Sequence, residues 1–503
     1  MSRLRRHAMI DLGSNSVRML VVEASASGQW RVVDEARSLL RLGDCLLEHG
    51  LLAPLLPTTS WVMSSWVQRA RQAGVTDIVA VATAALRAAP DGVAFTRALE
   101  QASGVRIRIV DAEEEARLGF LGATRSLDVA TGHLVDLGGA STEISSFQDQ
   151  RRLRSISMPL GSVTLGRIFL SSDPPTASQL AAADREARRQ VEAALPDPVL
   201  GLPLVAIGGS FRSIAKMHLR ASGYPMPTLH NYRLTPGAVD ALYLKLTSLP
   251  FRLRRQVPGL AAHRAETVLG ALTLAQAVLG WLKPSVIVIS GVGLREGLLF
   301  AHLGQRRDAV EPDRFQESVD NLLFQLASEA DPALLRLSAE LAAALSPLLP
   351  DGSLPLLTAS AKLRGLGQRV NFYDRHRHTF YLVLHGRLFG VSHGQQVVLA
   401  AAAGYEGPHR LSRLLRPYAQ MLGAEEASLA GRLGLIVAFS EALVRQAPAQ
   451  RLTIDAEITT KQISLLIGGA ELGPEVPYDD LGRLSAQFAK VFGRRLKLSF
   501  RPA

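Results

Sequence analysis

The segments IDLGSNSVRML at residues 10–20 and VDLGGASTEIS at residues 135–145 follow one plan. Each begins as an apolar strand ending in Asp and continues through Leu-Gly and a turn of small, hydroxyl-bearing residues into a second strand. A repeated hairpin of this kind predicts two related α/β lobes that face one another. The expected fold class is therefore α/β.

The chemistry of these turns follows from the groups that they bring together. A carboxylate at the end of a buried strand can position a cation, and the backbone N–H groups of the following Gly and Ser residues can hold phosphate oxygens. A third glycine turn, VAIGGS at 205–210, joins a strand to a helix, where the helix dipole favours an anion. Taken singly, each turn is equally compatible with an ordinary connection.

The acidic run Glu113, Glu114 and Glu115 opens a helical pattern in DAEEEARLGFLGA at 111–123. Carboxylates are favoured at a helix N-terminus by the helix dipole. The residues by themselves therefore favour a solvated acidic cluster, and assigning them any other role needs further context.

The charge balance favours a polyanionic partner. The chain has 56 Lys and Arg against 45 Asp and Glu, a formal net charge of +11. Nucleic acid, acidic lipid and a phosphate polymer all fit this excess. An Arg-rich composition unrelated to binding also gives it, so charge is supporting information only. No recognised nucleic-acid module is visible, and no specific nucleic-acid partner is expected.

Cysteine content and hydropathy point to a cytoplasmic protein. Cys45 is the only cysteine, which excludes an intramolecular disulfide and suits a reducing compartment. Asp11 and the polar turn after it interrupt the apolar stretch that an export signal would need. The longest apolar stretch, Val268 to Leu282, is shorter than the ~20 residues that span a bilayer, so it predicts a buried helix and no membrane partner.

Periodicity divides the chain into four predicted domains. Strand-like and helical patterns alternate over roughly the first 300 residues, Leu- and Ala-rich helical patterns follow, and strand patterns return at the tail. The predicted domains are an N-terminal lobe at 1–122, a second lobe at 123–302, an all-helical domain at 303–445 and a small α+β domain at 446–503.

Seven motifs follow one another along the first 300 residues: IDLGSNSVRML at 10–20, ATAALR at 82–87, DAEEEARL at 111–118, VDLGGASTEI at 135–144, MPLGSVTL at 158–165, AIGGS at 206–210 and GLREGLL at 293–299. Together they resemble the ordered motifs of exopolyphosphatases and guanosine pentaphosphate phosphohydrolases. The resemblance implies two ribonuclease H-like lobes of the sugar kinase, actin and Hsp70 superfamily, which agrees with the duplicated hairpins. It also implies an HD-like third domain and, as in many family members, a homodimer.

The resemblance also implies roles for individual residues. Glu115 matches the general base that activates water, and Thr83 and Arg87 match a segment that approaches the phosphate chain. Asp136 and Glu143, with Asp11, match acidic residues around a catalytic Mg²⁺ or Mn²⁺. The phosphate-binding residues implied are Asp11, Gly13, Ser14, Asn15 and Ser16 in the first loop, Gly138, Gly139, Ala140, Ser141 and Thr142 in the second, and Gly208, Gly209, Ser210 and Arg212 in the third.

Three positions depart from the family pattern. Ala140 stands where three consecutive glycines are usual, and its Cβ would lie near the expected phosphate. Arg212 replaces a small residue and could either contact phosphate or be a surface charge. In the helical domain, alignment from His376 and His378 puts Arg364-Gly365 where a metal-binding domain has its His-Asp pair, so this pair is lost. The cluster Arg375 to His378 is then expected to form a basic surface.

The function predicted from these residues is processive hydrolysis of the terminal phosphate of inorganic polyphosphate. Removal of the 5′ γ-phosphate of guanosine pentaphosphate remains open as an alternative, because both substrates present the same terminal group. A kinase with the same fold is a third possibility, which Glu115 in its EEEAR context disfavours. An alternative of another class is a non-catalytic sensor that binds polyphosphate or the alarmone.

Overall fold

The computed structural model describes residues 4–304, 313–446, 452–469 and 479–501. The chain forms two compact units. The first consists of Met1–Tyr224 and Thr228–Glu311, and the second of Pro225–Pro227 and Pro312–Ala503.

The first half of the first unit contains a five-stranded sheet with the order β3-β2-β1-β4-β5. Its elements are β1 (Arg5–Leu12), β2 (Val17–Ala24), β3 (Trp30–Ser38), α1 (Leu42–His49), α2 (Leu56–Gln72), β4 (Asp77–Ala82), α3 (Ala84–Ala88), α4 (Gly92–Ser103), β5 (Ile107–Ile109) and α5 (Ala112–Thr124). Strands β1 to β3 are antiparallel, whereas β4 and β5 continue parallel to β1.

The second half contains a six-stranded sheet with the order β10-β11-β9-β6-β7-β8. Its elements are β6 (Gly132–Leu137), β7 (Thr142–Gln148), β8 (Arg151–Met158), α6 (Ser162–Phe169), α7 (Ala177–Ala194), β9 (Leu204–Ile207), α8 (Gly208–Ala221), β10 (Tyr232–Leu234), α9 (Pro236–Thr247), α10 (Phe251–Arg254), α11 (Val268–Leu282), β11 (Ile287–Ile289) and α12 (Leu294–Gly304).

The two sheets repeat one topology, which confirms the duplication predicted from the two hairpins. Strands β6, β7 and β8 are antiparallel like β1, β2 and β3, and β9 and β11 continue parallel to β6 like β4 and β5. Strand β10 is an additional antiparallel edge. Each sheet has its own apolar core. The unit is therefore a mixed α/β structure of two lobes.

The central strands are buried because helices cover both faces, as expected for parallel strands. Every residue of β9 is buried, and Met9 and Ile10 of β1 are fully inaccessible. Full burial of each such side chain contributes roughly 1.5–3 kcal/mol. Helix α11, the predicted buried helix, lies in the core of the second lobe. This rigid packing fixes the strand ends from which the polar loops emerge.

The predicted lobe boundaries differ from the element boundaries. The 122/123 boundary falls within α5, and the 302/303 boundary falls within α12. Helix α12 packs chiefly against α5 and also against β1. The last helix of the second half is therefore shared with the first lobe, a tertiary arrangement that sequence periodicity does not reveal.

The second unit contains eight α-helices and a three-stranded sheet of order β12-β13-β14 among its described residues. They are α13 (Arg314–Gln325), α14 (Pro332–Ala344), α15 (Leu354–Leu363), α16 (Arg375–Leu384), α17 (His393–Ala403), α18 (Pro408–Leu415), α19 (Ala424–Gln446), β12 (Thr453–Ile458), β13 (Gln462–Gly468), α20 (Asp479–Phe492) and β14 (Arg495–Arg501). Helix α20 packs on α19, with the Phe488 and Phe439 rings 5.6 Å apart.

The predicted basic surface at 375–378 is wrong for two of its four residues. The Arg375 side chain is only 15% exposed and lies 3.7 Å from the Glu441 carboxylate. Burial, together with nearby arginines, strongly lowers the pKa of His376, so this residue stays neutral. Both side chains line an internal pocket of the second unit with Arg364. The helical fold turns them inward, whereas the sequence shows only four basic residues in a row.

Among the described residues, the segment Ala424–Arg445 is long and apolar enough to cross a membrane by length and composition. Two thirds of its most apolar window, 67%, is buried inside the structure, as in the core helix of a soluble protein. Its apolar residues are therefore accounted for by packing in the second unit.

Candidate active site

The two predicted loops have the same local geometry. The Gly13 N–H donates to Ser16 O at 3.2 Å, and the Gly138 N–H donates to Ser141 O at 3.0 Å. Each loop joins the first two strands of its lobe and directly follows the Asp-Leu end of the first strand. A tight turn of this kind leaves backbone groups of its small residues accessible to a ligand.

The loops line a single cleft of about 570 Å³ within the first unit. Sixteen of the residues predicted from sequence line it: Asp11, Gly13, Ser14, Asn15, Ser16, Thr83, Glu115, Asp136, Gly138, Gly139, Ser141, Glu143, Gly208, Gly209, Ser210 and Arg212. The tertiary structure thus brings together groups from three loops and from α5.

The three consecutive glutamates of helix α5 point in different directions. The Asp111 side chain accepts a hydrogen bond from the Glu114 N–H at 2.8 Å and so fixes the start of the helix. Glu113 and Glu114 lie toward solvent and pair with Arg152 and Arg108. Glu115 instead lines the cleft, with its side chain 13% exposed. The expectation of a solvated acidic cluster therefore holds for Glu113 and Glu114 but not for Glu115.

Arg87 forms a charge-assisted hydrogen bond with the Glu115 carboxylate. Its Nη1 donates to Glu115 Oε2 at 2.8 Å and to the Val110 carbonyl at 2.9 Å. A charge-assisted bond of this kind restricts the rotamers of the carboxylate. Arg87 does not line the cleft, although it was predicted to approach the phosphate chain. Its geometry fits a positioning role.

Two other predicted phosphate ligands lie outside the lining of the cleft. The Thr142 hydroxyl is fully buried and donates to Leu160 O at 2.7 Å, because Thr142 already belongs to β7. Ala140 also lies outside the lining, so its methyl group does not narrow the cleft. The loop is fastened from behind by α6, whose Ser162 and Val163 N–H groups donate to Gly138 O and Gly139 O at 3.0 and 2.9 Å.

Six carboxyl groups line the cleft, and four of them are predicted site residues: Asp11, Glu115, Asp136 and Glu143. The other two are Glu35 and Glu296. Burial raises the pKa of Asp11 to about 6, and it also raises the pKa values of Glu115, Asp136 and Glu143. Repulsion from Asp136 raises the pKa values of Asp11, Glu115 and Glu143 further. Such a cluster of oxygen donors favours the binding of a hard cation.

The metal-free protein is expected to lose stability as pH rises from about 5 to about 8. The folded state keeps protons on the raised carboxyl groups that the unfolded chain releases near its ordinary pKa values, so their contribution is present at low pH and is lost as pH rises through the folded pKa values. We expect the melting temperature in a chelator to fall by at least ~5 °C over this range.

The matched variant for this measurement is Glu143→Gln, which keeps the shape of the side chain and removes one titrating group. Its melting temperature should change less steeply with pH than that of the parent. Addition of Mg²⁺ at pH 8 should raise the melting temperature of the parent. Equal pH slopes for the parent and the variant would contradict the assignment of the pH dependence to the cleft.

The third loop places a helix N-terminus at the cleft. Helix α8 starts at Gly208, directly after the buried strand β9. Asp136 of β6 pairs with Ile207 of β9, the residue just before Gly208, so the start of the helix lies next to Asp136. Gly208 has φ +88°, and a Cβ at this position would lie 2.4 Å from Asp136 Oδ1. Only glycine allows this close approach of the loop to the carboxylate. The N-terminal N–H groups of α8 are then available to an anion.

The sequence prediction missed most of the positive charge of the cleft. Cationic side chains that also line it are Arg18, Arg37, Lys216, Arg264 and Arg295, with His263 beside them. Burial, together with repulsion from Arg37, Arg18 and Arg212, lowers the pKa of Arg264 to about 10. Burial, together with repulsion from Arg18 and Arg295, likewise lowers the pKa of Arg212 to about 10. Attraction by Glu296 and Asp136 acts in the opposite direction and only partly offsets this effect. The guanidinium groups lie close together although they repel one another. A polyanion bound between them would relieve this repulsion, so they provide a site for one.

One of these arginines could have been found from the repeat itself. Strand pairing places Arg18 opposite Asp11 in the first hairpin and Glu143 opposite Asp136 in the second. Superposing the two motifs therefore aligns a cation in one lobe with an acid in the other. Arg37, Arg264 and Arg295 come from distant segments without a comparable repeat, and only the fold brings them to the cleft.

A model of the Ppx/GppA phosphatase family matches residues 21–306, more than half of the chain. The chain belongs to this family. The match begins within β2 and ends at residue 306, two residues after the last residue of α12. It thus covers most of the two lobes that form the cleft.

Two relatives represent both named activities of the Ppx/GppA family. Exopolyphosphatase 1 of Mycobacterium tuberculosis is 28% identical over 316 residues, which are 60% of this chain and 90% of the relative. The guanosine-5'-triphosphate,3'-diphosphate pyrophosphatase of Pseudoalteromonas translucida is 26% identical over 430 residues, which are 83% of each chain. The second similarity extends beyond the two lobes.

Solved structures of Ppx/GppA proteins share this fold. The Aquifex aeolicus family member has a TM-score of 0.54 and 24% identity, covering 61% of this chain and 100% of that one. An exopolyphosphatase from Cytophaga hutchinsonii has a TM-score of 0.55 and 20% identity, covering 60% of this chain and 98% of that one. The two-lobed α/β architecture is therefore that of the Ppx/GppA family.

Proposed function

We propose that the protein hydrolyses a terminal phosphoanhydride bond and that inorganic polyphosphate is its main substrate. The observation that carries this proposal is the composition of the cleft. A buried carboxylate, Glu115, faces a group of acidic oxygen donors and backbone amide loops, while several arginines line the same space. Phosphoryl transfer to water needs this combination of water orientation and charge neutralisation.

The residues present fit a divalent metal ion. Asp11, Asp136 and Glu143 offer oxygen ligands, and burial disfavours their ionised forms, which raises their pKa values. A bound cation would stabilise those ionised forms. Oxygen donors of this kind suit Mg²⁺ or Mn²⁺. When bound, such an ion neutralises charge on the phosphate oxygens.

The chain's own residues supply the remaining functions. The N–H groups of the two hairpin loops and of the α8 N-terminus hold oxygens of the terminal phosphate. Glu115, held by Arg87, orients a water molecule and accepts its proton as the water oxygen bonds to phosphorus. The bond from phosphorus to the bridging oxygen breaks, and the electron pair leaves with the shortened chain. The products are orthophosphate and polyphosphate one residue shorter.

Guanosine pentaphosphate is the second candidate substrate. The similarity to the Pseudoalteromonas translucida pyrophosphatase runs over 83% of this chain, whereas that to the mycobacterial exopolyphosphatase covers 60%. The arginine-lined cleft, by contrast, suits a long chain of repeated negative charge. Comparing kcat/KM for long-chain polyphosphate and for guanosine pentaphosphate decides between them. Binding of either without phosphate release in the presence of Mg²⁺ or Mn²⁺ would instead establish a non-catalytic sensor.

Replacing Arg37 with Ala is expected to raise KM for long-chain polyphosphate about tenfold, because loss of a charge-assisted phosphate contact costs about 1.5 kcal/mol. Arg37 lines the cleft beside His263, whose Nε2 lies 3.4 Å from Arg37 Nη2. The control is Arg97→Ala, which removes an exposed arginine of α4. Equal KM values for both variants would exclude the contact.

Arg212 is tested by the dependence of KM on chain length. Arg212→Ala should weaken binding of long polyphosphate relative to the parent if its half-buried guanidinium contacts the substrate. Unchanged affinity for long substrates would eliminate this contact. Circular dichroism of the variant checks its folding, because a half-buried residue is being changed.

The remaining assignments concern the whole chain. We propose a cytoplasmic homodimer in which the helical region is an HD-like domain without its metal-binding pair. Support for the lost pair comes from Arg364, which donates to Ala403 O at 3.0 Å, Tyr405 O at 2.6 Å and Glu441 Oε2 at 3.0 Å. A buried guanidinium cannot serve as a metal ligand. Light scattering of the full chain tests the dimer.

A further inference from the structure

Three metal-binding side chains meet at a place remote from the phosphate loops. His7 lies on β1, Asp77 starts β4 and His302 lies near the end of α12. Their ligand atoms are 3.1 Å apart for His7 Nδ1 and His302 Nε2, 3.1 Å for His302 Nε2 and Asp77 Oδ2, and 3.7 Å for His7 Nδ1 and Asp77 Oδ2. In the described part of the chain, these three residues form a group whose possible metal-ligand atoms all lie within 4.8 Å of one another.

These separations match a transition metal held in tetrahedral geometry. Metal bonds of 2.0–2.1 Å at the tetrahedral angle put neighbouring ligand atoms about 3.3–3.4 Å apart. The three observed distances bracket this value. Two imidazoles and one carboxylate are ligands that Zn²⁺ accepts, whereas Mg²⁺ prefers oxygen donors. A fourth position would be left for water, on the side where Asp77 is 37% exposed.

The backbone holds two of these ligands in place. His7 and Asp77 are direct partners in the parallel pairing of β1 and β4. The His7 side chain is only 2% exposed, and that of His302 is 15% exposed. Burial limits the number of rotamers, so little conformational entropy would be lost when a metal binds.

The group is separate from the catalytic carboxylates. His7 and Asp11 are four residues apart on β1, which corresponds to about 13 Å along a strand. None of the three ligands lines the cleft. The site is nevertheless connected to the cleft through α12, because Arg295 and Glu296 at the start of this helix do line it.

We propose that His7, Asp77 and His302 bind one Zn²⁺-class transition metal ion that fastens the end of α12 to the first sheet. Helix α12 follows β11 of the second lobe but packs on α5 and β1. A metal bonded to His302 therefore links the end of the second lobe to the two central strands of the first. By fixing the helix, the ion also positions Arg295 and Glu296 at the cleft.

The test is titration of the chelator-treated full chain with Co²⁺ in an excess of Mg²⁺, which occupies the carboxylate site in the cleft and leaves imidazole ligands to Co²⁺. We expect one equivalent of Co²⁺ to give the intense visible absorption of a tetrahedral complex and Zn²⁺ to displace it. The absorption should be lost in His302→Gln and weakened in Asp77→Asn. His49→Ala, which removes a 53%-exposed histidine, should behave like the parent.

Thermal unfolding provides an independent measurement. Zn²⁺ should raise the melting temperature of the parent and of His49→Ala but not that of His302→Gln, because only the folded state presents the three ligands together. Equal Co²⁺ spectra and equal Zn²⁺ shifts in the parent and in a folded His302→Gln variant would overturn the proposal. The absence of tetrahedral Co²⁺ absorption in the parent would also overturn the proposal. The three side chains would then form a hydrogen-bonded triad and not a metal site.

Discussion

Glu115→Gln is expected to reduce turnover of polyphosphate by at least ~100-fold while the protein stays folded. The amide keeps the size of the side chain and can still accept a hydrogen bond from Arg87, but it cannot take a proton from water. The effect should appear in kcat, because the loops that we propose to bind phosphate are unchanged. Steady-state phosphate release, with circular dichroism as the folding check, measures it.

The matched control is Glu114→Gln, which makes the same chemical change one residue earlier on α5. Glu114 lies outside the cleft and pairs with the surface residues Arg108 and Arg117. Its loss should leave turnover within about twofold of the parent, since surface ion pairs contribute little. Near-normal turnover of Glu115→Gln would remove Glu115 from the role of general base.

Gly208→Ala is expected to reduce kcat/KM by at least ~100-fold and to raise the Mg²⁺ concentration needed for half-maximal activity. The new Cβ would lie 2.4 Å from Asp136 Oδ1, so either the carboxylate or the α8 N-terminus must move. Displacement of catalytic groups by about 1 Å can cost 100-fold in rate. A metal titration of the activity detects the change at Asp136.

Gly223→Ala separates this collision from backbone strain. Gly223 follows α8 and has φ +63°, but an added Cβ meets no atom within 4 Å. This variant should lose about 1 kcal/mol of stability and keep its activity. Equal losses of activity in both variants would assign the effect to strain and not to the contact with Asp136.

The sequence was informative about the fold because the duplication left a pattern in the chain. Two hairpins with Asp at the same place predicted two lobes, and the structure has two sheets that share an order of five strands, with β10 added at the edge of the second. The predicted boundaries at 122/123 and 302/303 lie within α5 and α12. Helix α12 crosses to the first lobe, and this packing is a long-range contact without a local signal in the sequence.

The site shows the same division between local and long-range information. Periodicity placed Glu113, Glu114 and Glu115 on a helix but could not say which of them points inward, because that depends on what lies beside α5. Thr142 was counted with its loop from its place in the motif, whereas strand β7 already includes it and buries its hydroxyl. Arg264 carried no motif at all and was found only through the fold.

The α/β class, the two glycine-containing hairpins and the acid at the end of each first strand could be predicted from the amino-acid sequence, because these features depend on residues that are close along the chain. Three other features follow from the packed fold alone: Glu115 faces those acids, arginines from distant segments line the same cleft, and His7, Asp77 and His302 meet. Each of these depends on how separate strands and helices pack. Burial then sets the carboxyl pKa values, and it too is a property of the packed structure.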